Sequence, residues 1–139
     1  MTDSDFSDDE IFEKYRSRRI NEIKHREVKE IENEQELIKL TMKDTMIVHF
    51  YKKEFVRCSI MNDTLIRICD KFKNIDFYKI EADKCLIVAE KLDIKALPFL
   101  GFFHKGFFVD SIVGFENIGE NVLNENDLIN FIKNSNIYK

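Results

Sequence analysis

The chain has 139 residues, 44% of them apolar, and a formal charge of −4 with both signs dispersed. That length suits one domain with an appendage, and that apolar share is enough for a true core. The acidic balance argues against a nucleic-acid binder, which is generally basic, and no apolar run is long enough to span a bilayer. Phenylalanine is abundant, at 13 residues, while there are four glycines and a single proline, so that proline is a position to watch.

In chain order, Asp8 to His25 reads as a helix. Asp8, Asp9 and Glu10 suit the positive end of its dipole, and Glu10 with Lys14 and Glu22 with Arg26 are supporting i,i+4 pairs. Phe12, Tyr15, Ile20 and Ile23, with Arg16 and Arg19 between them, give a narrow apolar stripe on a charged helix. Such a stripe suits docking better than core packing. Residues 1–26 therefore read as an acidic start and docking helix, and 27–139 as the folded domain. Glu27 to Ile31 is a weak first strand, and Asn33, with Glu36 three residues on, caps a helix through Met42. Met46 to Tyr51 is a strong strand, followed by a helix from about Arg57 to Phe72, with Ile60, Met61, Leu65, Ile68, Cys69 and Phe72 as core.

Ile75 to Ile80 is a second strong strand. A shorter helix from Asp83 or Lys84 to Leu92 follows, with Leu86, Val88, Ala89 and Leu92 as core. Pro98 to Phe103 and Phe107 to Val113 form a hairpin across Lys105-Gly106. Asn124 with Asp127 caps a final helix with Leu128, Ile129 and Ile132 inside. Early alternation of strand and helix implies parallel pairing, and the hairpin implies antiparallel pairing. The fold class is α/β: a mixed sheet with helices on both faces, preceded by a helix.

Cys58, Cys69 and Cys85 stand in no C-x-x-C spacing and do not make a disulfide framework. Eleven residues along one continuous helix separate Cys58 from Cys69 by roughly 16 Å, out of disulfide reach. His25, His49 and His104 are scattered, so no metal site is expected. No phosphate-cradling glycine loop occurs, and no cofactor is expected. The acidic first residues hold no signal-peptide core and the last four no prenylation box. The expected compartment is the cytoplasm, with the nucleus second.

The strand ending at Tyr51 runs into a turn that opens a helix, and the turn carries Phe55, Val56, Arg57 and Cys58. This layout resembles the active-site segment of thioredoxins, which place Cys-x-x-Cys there. The resemblance puts Phe55 at the attacking position and Cys58 at the resolving one. Dithiol exchange needs both thiols, so the usual chemistry cannot run. Leu97-Pro98 resembles the cis-proline element that faces that turn, and cis is the expected isomer. His49 stands where thioredoxins carry a buried aspartate and Lys79 where they carry a buried lysine. A neutral, hydrogen-bonded core histidine is the expected state.

The string from His49 to Met61, with Ile94 to Pro98, Lys105-Gly106 and Asp110 to Gly119, is similar to the phosducin-like family, in particular its thioredoxin domain-containing protein 9 branch. That resemblance implies a non-enzymatic co-chaperone of the cytosolic chaperonin that folds actin and tubulin. The residues ahead of Glu27 do not resemble the extended region through which classical phosducin binds G-protein βγ, so that partner is not expected. Neither nucleic acid nor membrane is an expected partner. Candidate partner contacts are Phe12, Tyr15, Arg16, Arg19, Ile20 and Ile23 on the first helix and Lys52 and Lys53 beside the turn. Two alternatives stand: a monothiol redox protein using Cys58, beside Arg57, Lys52 and Lys53, or an adaptor to another large assembly such as the ribosome or proteasome.

Overall fold

A computed structural model describes residues 27–137. The expected helix from Asp8 to His25, and with it Phe12, Tyr15, Arg16, Arg19, Ile20 and Ile23, lies outside the described residues.

Nine elements follow in order: β1 (Val28–Glu30), α1 (Glu34–Lys43), β2 (Thr45–Tyr51), α2 (Val56–Ile68), β3 (Asp76–Glu81), α3 (Leu86–Lys91), β4 (Phe99–His104), β5 (Phe107–Val113) and α4 (Glu125–Asn134). Short 3-10 turns at Cys69–Lys71 and Ala82–Lys84 extend α2 and precede α3. The strands form one sheet in the order β1-β3-β2-β4-β5. β2 pairs in parallel with β3 and antiparallel with β4, which is the mixed sheet that the alternation followed by a hairpin implies.

Local chemistry sets the ends of these elements. Asn33 accepts from the Glu36 amide at 2.9 Å, and Glu36 reaches back to the Glu32 amide at 3.1 Å, one residue ahead of the cap. Asn124 caps α4 through the Asp127 amide at 2.9 Å. The β4–β5 turn places Lys105 at φ 48° and Gly106 at φ 95°, the two positive angles that a tight two-residue hairpin requires.

One core lies between the sheet and α2 with α4. It includes Ile47, Met61, Leu65, Ile68, Phe77, Phe102, Ile112, Leu128 and Ile132. The other lies between the sheet and α1 with α3, and includes Leu37, Met46, Val48, Phe50, Ile80, Cys85, Phe99 and Phe103. Two expected core residues are on the surface. Ile60 is 42% and Leu86 69% exposed, because α2 turns a narrower apolar face inward than its sequence offers, and α3, at six residues, is too short to bury two sides. Ala89 and Ile129 are only half buried.

Candidate functional site

The turn after β2 ends against the amino end of α2. Phe55 is the residue before the helix, and its carbonyl accepts from the Cys58 amide at 3.0 Å and the Ser59 amide at 3.2 Å. Phe55, extended at the cap, precedes Cys58 by three residues at the amino end of α2. Phe55 is 43% and Val56 73% exposed, whereas Cys58 is 1% exposed. The thiol is therefore buried, while the apolar pair just ahead of it in the turn is open to solvent. Burial pushes the Cys58 pKa up, against a smaller lowering by the Lys52 backbone. A thiolate is the reactive species, so this cysteine is placed and tuned as a core residue.

Arg57 turns its guanidinium over the Phe115 ring at 4.8 Å, tying the turn to the loop after β5. Pro98 is buried and the Leu97–Pro98 peptide is cis. The Pro98 carbonyl accepts from the Gly114 amide at 2.7 Å, which fastens the segment before β4 to the end of β5. Lys53 is exposed and Lys52 half buried.

Below the turn, strand register lines up a polar row. Glu30 on β1 stands beside Lys79 on β3, and Lys79 beside His49 on β2. His49 is completely buried. Its Nδ1 lies 2.7 Å from the Asn62 Oδ1 on α2, so Nδ1–H donates to the amide oxygen. The neutral ring then leaves Nε2 bare, and Nε2 has no hydrogen-bond partner among the described residues. Burial lowers the His49 pKa from 6.5 to about 4; the Asn62 bond opposes the shift and the Lys79 charge adds to it. The ring is neutral and hydrogen-bonded, as expected of a core histidine.

Lys79 does not pair with His49. Its ammonium lies 3.8 Å from Glu30 Oε1 and 5.7 Å from the centre of the Tyr51 ring. The Tyr51 hydroxyl donates to both Glu30 oxygens at 2.9 Å. Burial first, then this bond and the nearby carboxylates, push the Tyr51 pKa up. Asn62, Glu30, Tyr51 and Phe115 are thus parts of the site that the sequence reading does not single out. Only Glu30 carries a hint, as the acid on the strand that would flank Lys79.

Among the described residues no group of acid, histidine or cysteine side chains could hold a metal ion, and no helix is long and apolar enough to cross a membrane. The other two thiols are buried as well. Cys85 is pushed up to about 12 by burial and by the Glu34 and Asp83 charges.

Sheet order, cis-proline and turn define a thioredoxin fold whose turn carries an exposed Phe55 and a buried Cys58. The family model for thioredoxin matches residues 25–133. Solved structures agree on the fold: thioredoxin from Plasmodium falciparum superposes with TM-score 0.65 at 20% identity, covering 76% of this chain and 97% of that one. Thioredoxin from Halobacterium salinarum gives TM-score 0.64 at 20% identity, covering 77% and 88%. Phosducin-like protein 3 of Dictyostelium discoideum is 36% identical over 129 residues, 84% of this chain and 70% of that protein. Thioredoxin domain-containing protein 9 of Bos taurus is 30% identical over 96 residues, 68% of this chain and 42% of that protein. The chain belongs to the phosducin-like family of thioredoxin-fold proteins. It spans 70% of the Dictyostelium protein and 41% of the Arabidopsis thaliana thioredoxin domain-containing protein PLP3A, which is 36% identical over 95 residues.

Proposed function

We propose that this chain is a non-enzymatic co-chaperone that binds the cytosolic chaperonin and modulates the folding of actin and tubulin in the cytoplasm. The observation that carries this reading is the turn itself: Phe55, at the position where the resemblance puts the attacking thiol, is exposed with Val56, and Cys58 is buried. Exposed aromatic and aliphatic side chains on a rigid turn suit protein docking, whereas a buried, proton-retaining thiol suits neither attack nor resolution. Lys52 and Lys53 precede the apolar pair in the same turn, with exposed Glu54 between, and are candidate partner contacts beside it. The stripe Phe12, Tyr15, Ile20 and Ile23, with Arg16 and Arg19, supplies a second contact of the helix-in-groove kind.

The test is refolding of denatured actin or tubulin by purified chaperonin and ATP, with and without the full chain, alongside reduction of insulin disulfides. A dose-dependent change in folding yield with no insulin reduction supports the reading. An unchanged yield, or disulfide reduction that disappears in Cys58→Ser, overturns it.

A further inference from the structure

Among the described residues the sheet has two edges, β1 with three residues and β5 with seven. The phase of the hydrogen bonds fixes what β5 presents on its outer side. The Gly114 amide donates to the Pro98 carbonyl at 2.7 Å. Bonded and non-bonded pairs alternate along an antiparallel ladder, and the register sets Ile112 opposite Leu100 and Asp110 opposite Phe102. Those two pairs are therefore bonded ones. The Ser111 amide and carbonyl and the Val113 amide lie out of phase with them and point away from β4.

That outer side carries a charge. The Asp110 carboxylate accepts from the Ser111 amide at 3.0 Å. Because this amide points outward, the carboxylate lies along the edge itself. Asp110 is half buried, and among the described residues it takes part in no ion pair. Apolar side chains precede and follow it. Phe107 is 71% and Phe108 42% exposed, with the Phe108 ring centre 5.5 Å from that of Phe103 and 6.5 Å from that of Phe99. Val109 and Val113 are half buried.

We propose that β5 is a strand-addition edge whose partner is an extended segment with a lysine or arginine facing Asp110 and apolar residues at alternate positions. In strand addition, main-chain bonds supply affinity and alternate side chains supply specificity. An added strand that pairs with Ser111 puts its own carbonyl in place of the Asp110 oxygen. A cation on that strand then offsets the displaced carboxylate, whereas an acid there repels it. A second copy of the chain fits badly. Phe107 to Val113 hold one acid and no base, so pairing two copies along β5 brings two carboxylates and no cation. The register also shifts between Phe102 and Phe103, leaving Val109 without an opposite on β4. Such a bulge twists an edge out of line for pairing with itself. The same two features thus keep copies apart and select a basic strand.

The experiment is titration of the nitrogen-15-labelled full chain with two capped peptides, followed by amide NMR. Both match β5 in length and alternate valine with threonine; one has arginine at its centre and the other glutamate. The arginine peptide is expected to shift the Ser111 and Val113 amides saturably and to slow exchange of the Val113 amide with water. The glutamate peptide is expected to bind about fivefold more weakly. Asp110→Asn keeps an acceptor for the Ser111 amide and is expected to bind the two peptides equally. No saturable shift on β5, equal affinity of the native chain for both peptides, or an arginine preference that persists in Asp110→Asn overturns the proposal. A Val113 amide that exchanges slowly without peptide overturns it too: protection that grows with protein concentration assigns the edge to a second copy, and constant protection to the chain itself. None of these readouts involves the chaperonin, so failure here is separate from failure of the functional reading.

Discussion

His49 makes stability depend on pH in a defined window. Its ring is desolvated between β2 and α2 and faced by the Lys79 charge, and these outweigh the opposing Asn62 hydrogen bond to lower its pKa from 6.5 to about 4. In the unfolded chain it takes up a proton near 6.5. A folded-state pKa below the unfolded one means that the unfolded state binds more protons across the interval. The stability is therefore fully present above about pH 6.5, declines as pH falls, and is lost below about pH 4. At 1.36 kcal/mol per unit, the whole interval amounts to about 3 kcal/mol, and the step from pH 7 to pH 5 to about 2 kcal/mol. Urea unfolding at pH 7 and pH 5 measures it, with His49→Asn as the comparison. Asparagine keeps a donor for Asn62 and does not titrate, so its own packing cost cancels between the two pH values. The native protein is expected to lose about 2 kcal/mol more than the variant over that step. Equal losses, or an imidazole resonance of His49 in the folded protein that titrates near its ordinary value, would refute the reasoning.

Other expectations follow from particular contacts. Cys58 in the native protein is expected to react with iodoacetamide at neutral pH far more slowly than an exposed cysteine introduced at Val56, because the thiol is covered and burial raises its pKa; equal rates would place Cys58 at the surface. Phe55→Asp with Val56→Asp is expected to change unfolding free energy by less than about 0.5 kcal/mol per site, as these side chains are exposed. Gly119→Ala is expected to cost more than about 2 kcal/mol in urea unfolding, since Gly119 sits at φ 122° and an added methyl would run into the Val122 carbonyl. Asn33→Ala is expected to cost about 1 kcal/mol through loss of the α1 cap.

Much of the fold is legible before any coordinates. The β-branched and aromatic runs of β2 and β3, the Lys105-Gly106 turn, and the caps at Asn33 and Asn124 each state their structure locally, because the physics involved spans a few residues. Pro98 is legible only in company: its isomer follows from the resemblance around it, not from its own neighbours. The misses lie where burial depends on distant partners. Ile60 repeats at helical spacing with Met61 and Leu65, and nothing local shows that the buried face of α2 runs through Cys58, Met61, Leu65 and Ile68 and leaves Ile60 outside it. Leu86 reads as core until α3 turns out to be a turn and a half long. Asn62 is a polar residue in mid-helix with no signal of its own; it matters because α2 crosses β2 at His49. Tyr51 and Glu30 meet only through the register of three strands.

The proposed function requires that the exposed turn at Phe55 and Val56 bind a protein partner. Binding of the labelled full chain to purified cytosolic chaperonin, measured by co-sedimentation, tests it most directly. The native protein is expected to co-sediment, Cys58→Ser to bind equally well, and Phe55→Asp with Val56→Asp to bind at least about tenfold more weakly, as loss of central apolar anchors demands. Undiminished binding by the Phe55 and Val56 variant, or no binding by the native chain, would contradict the account.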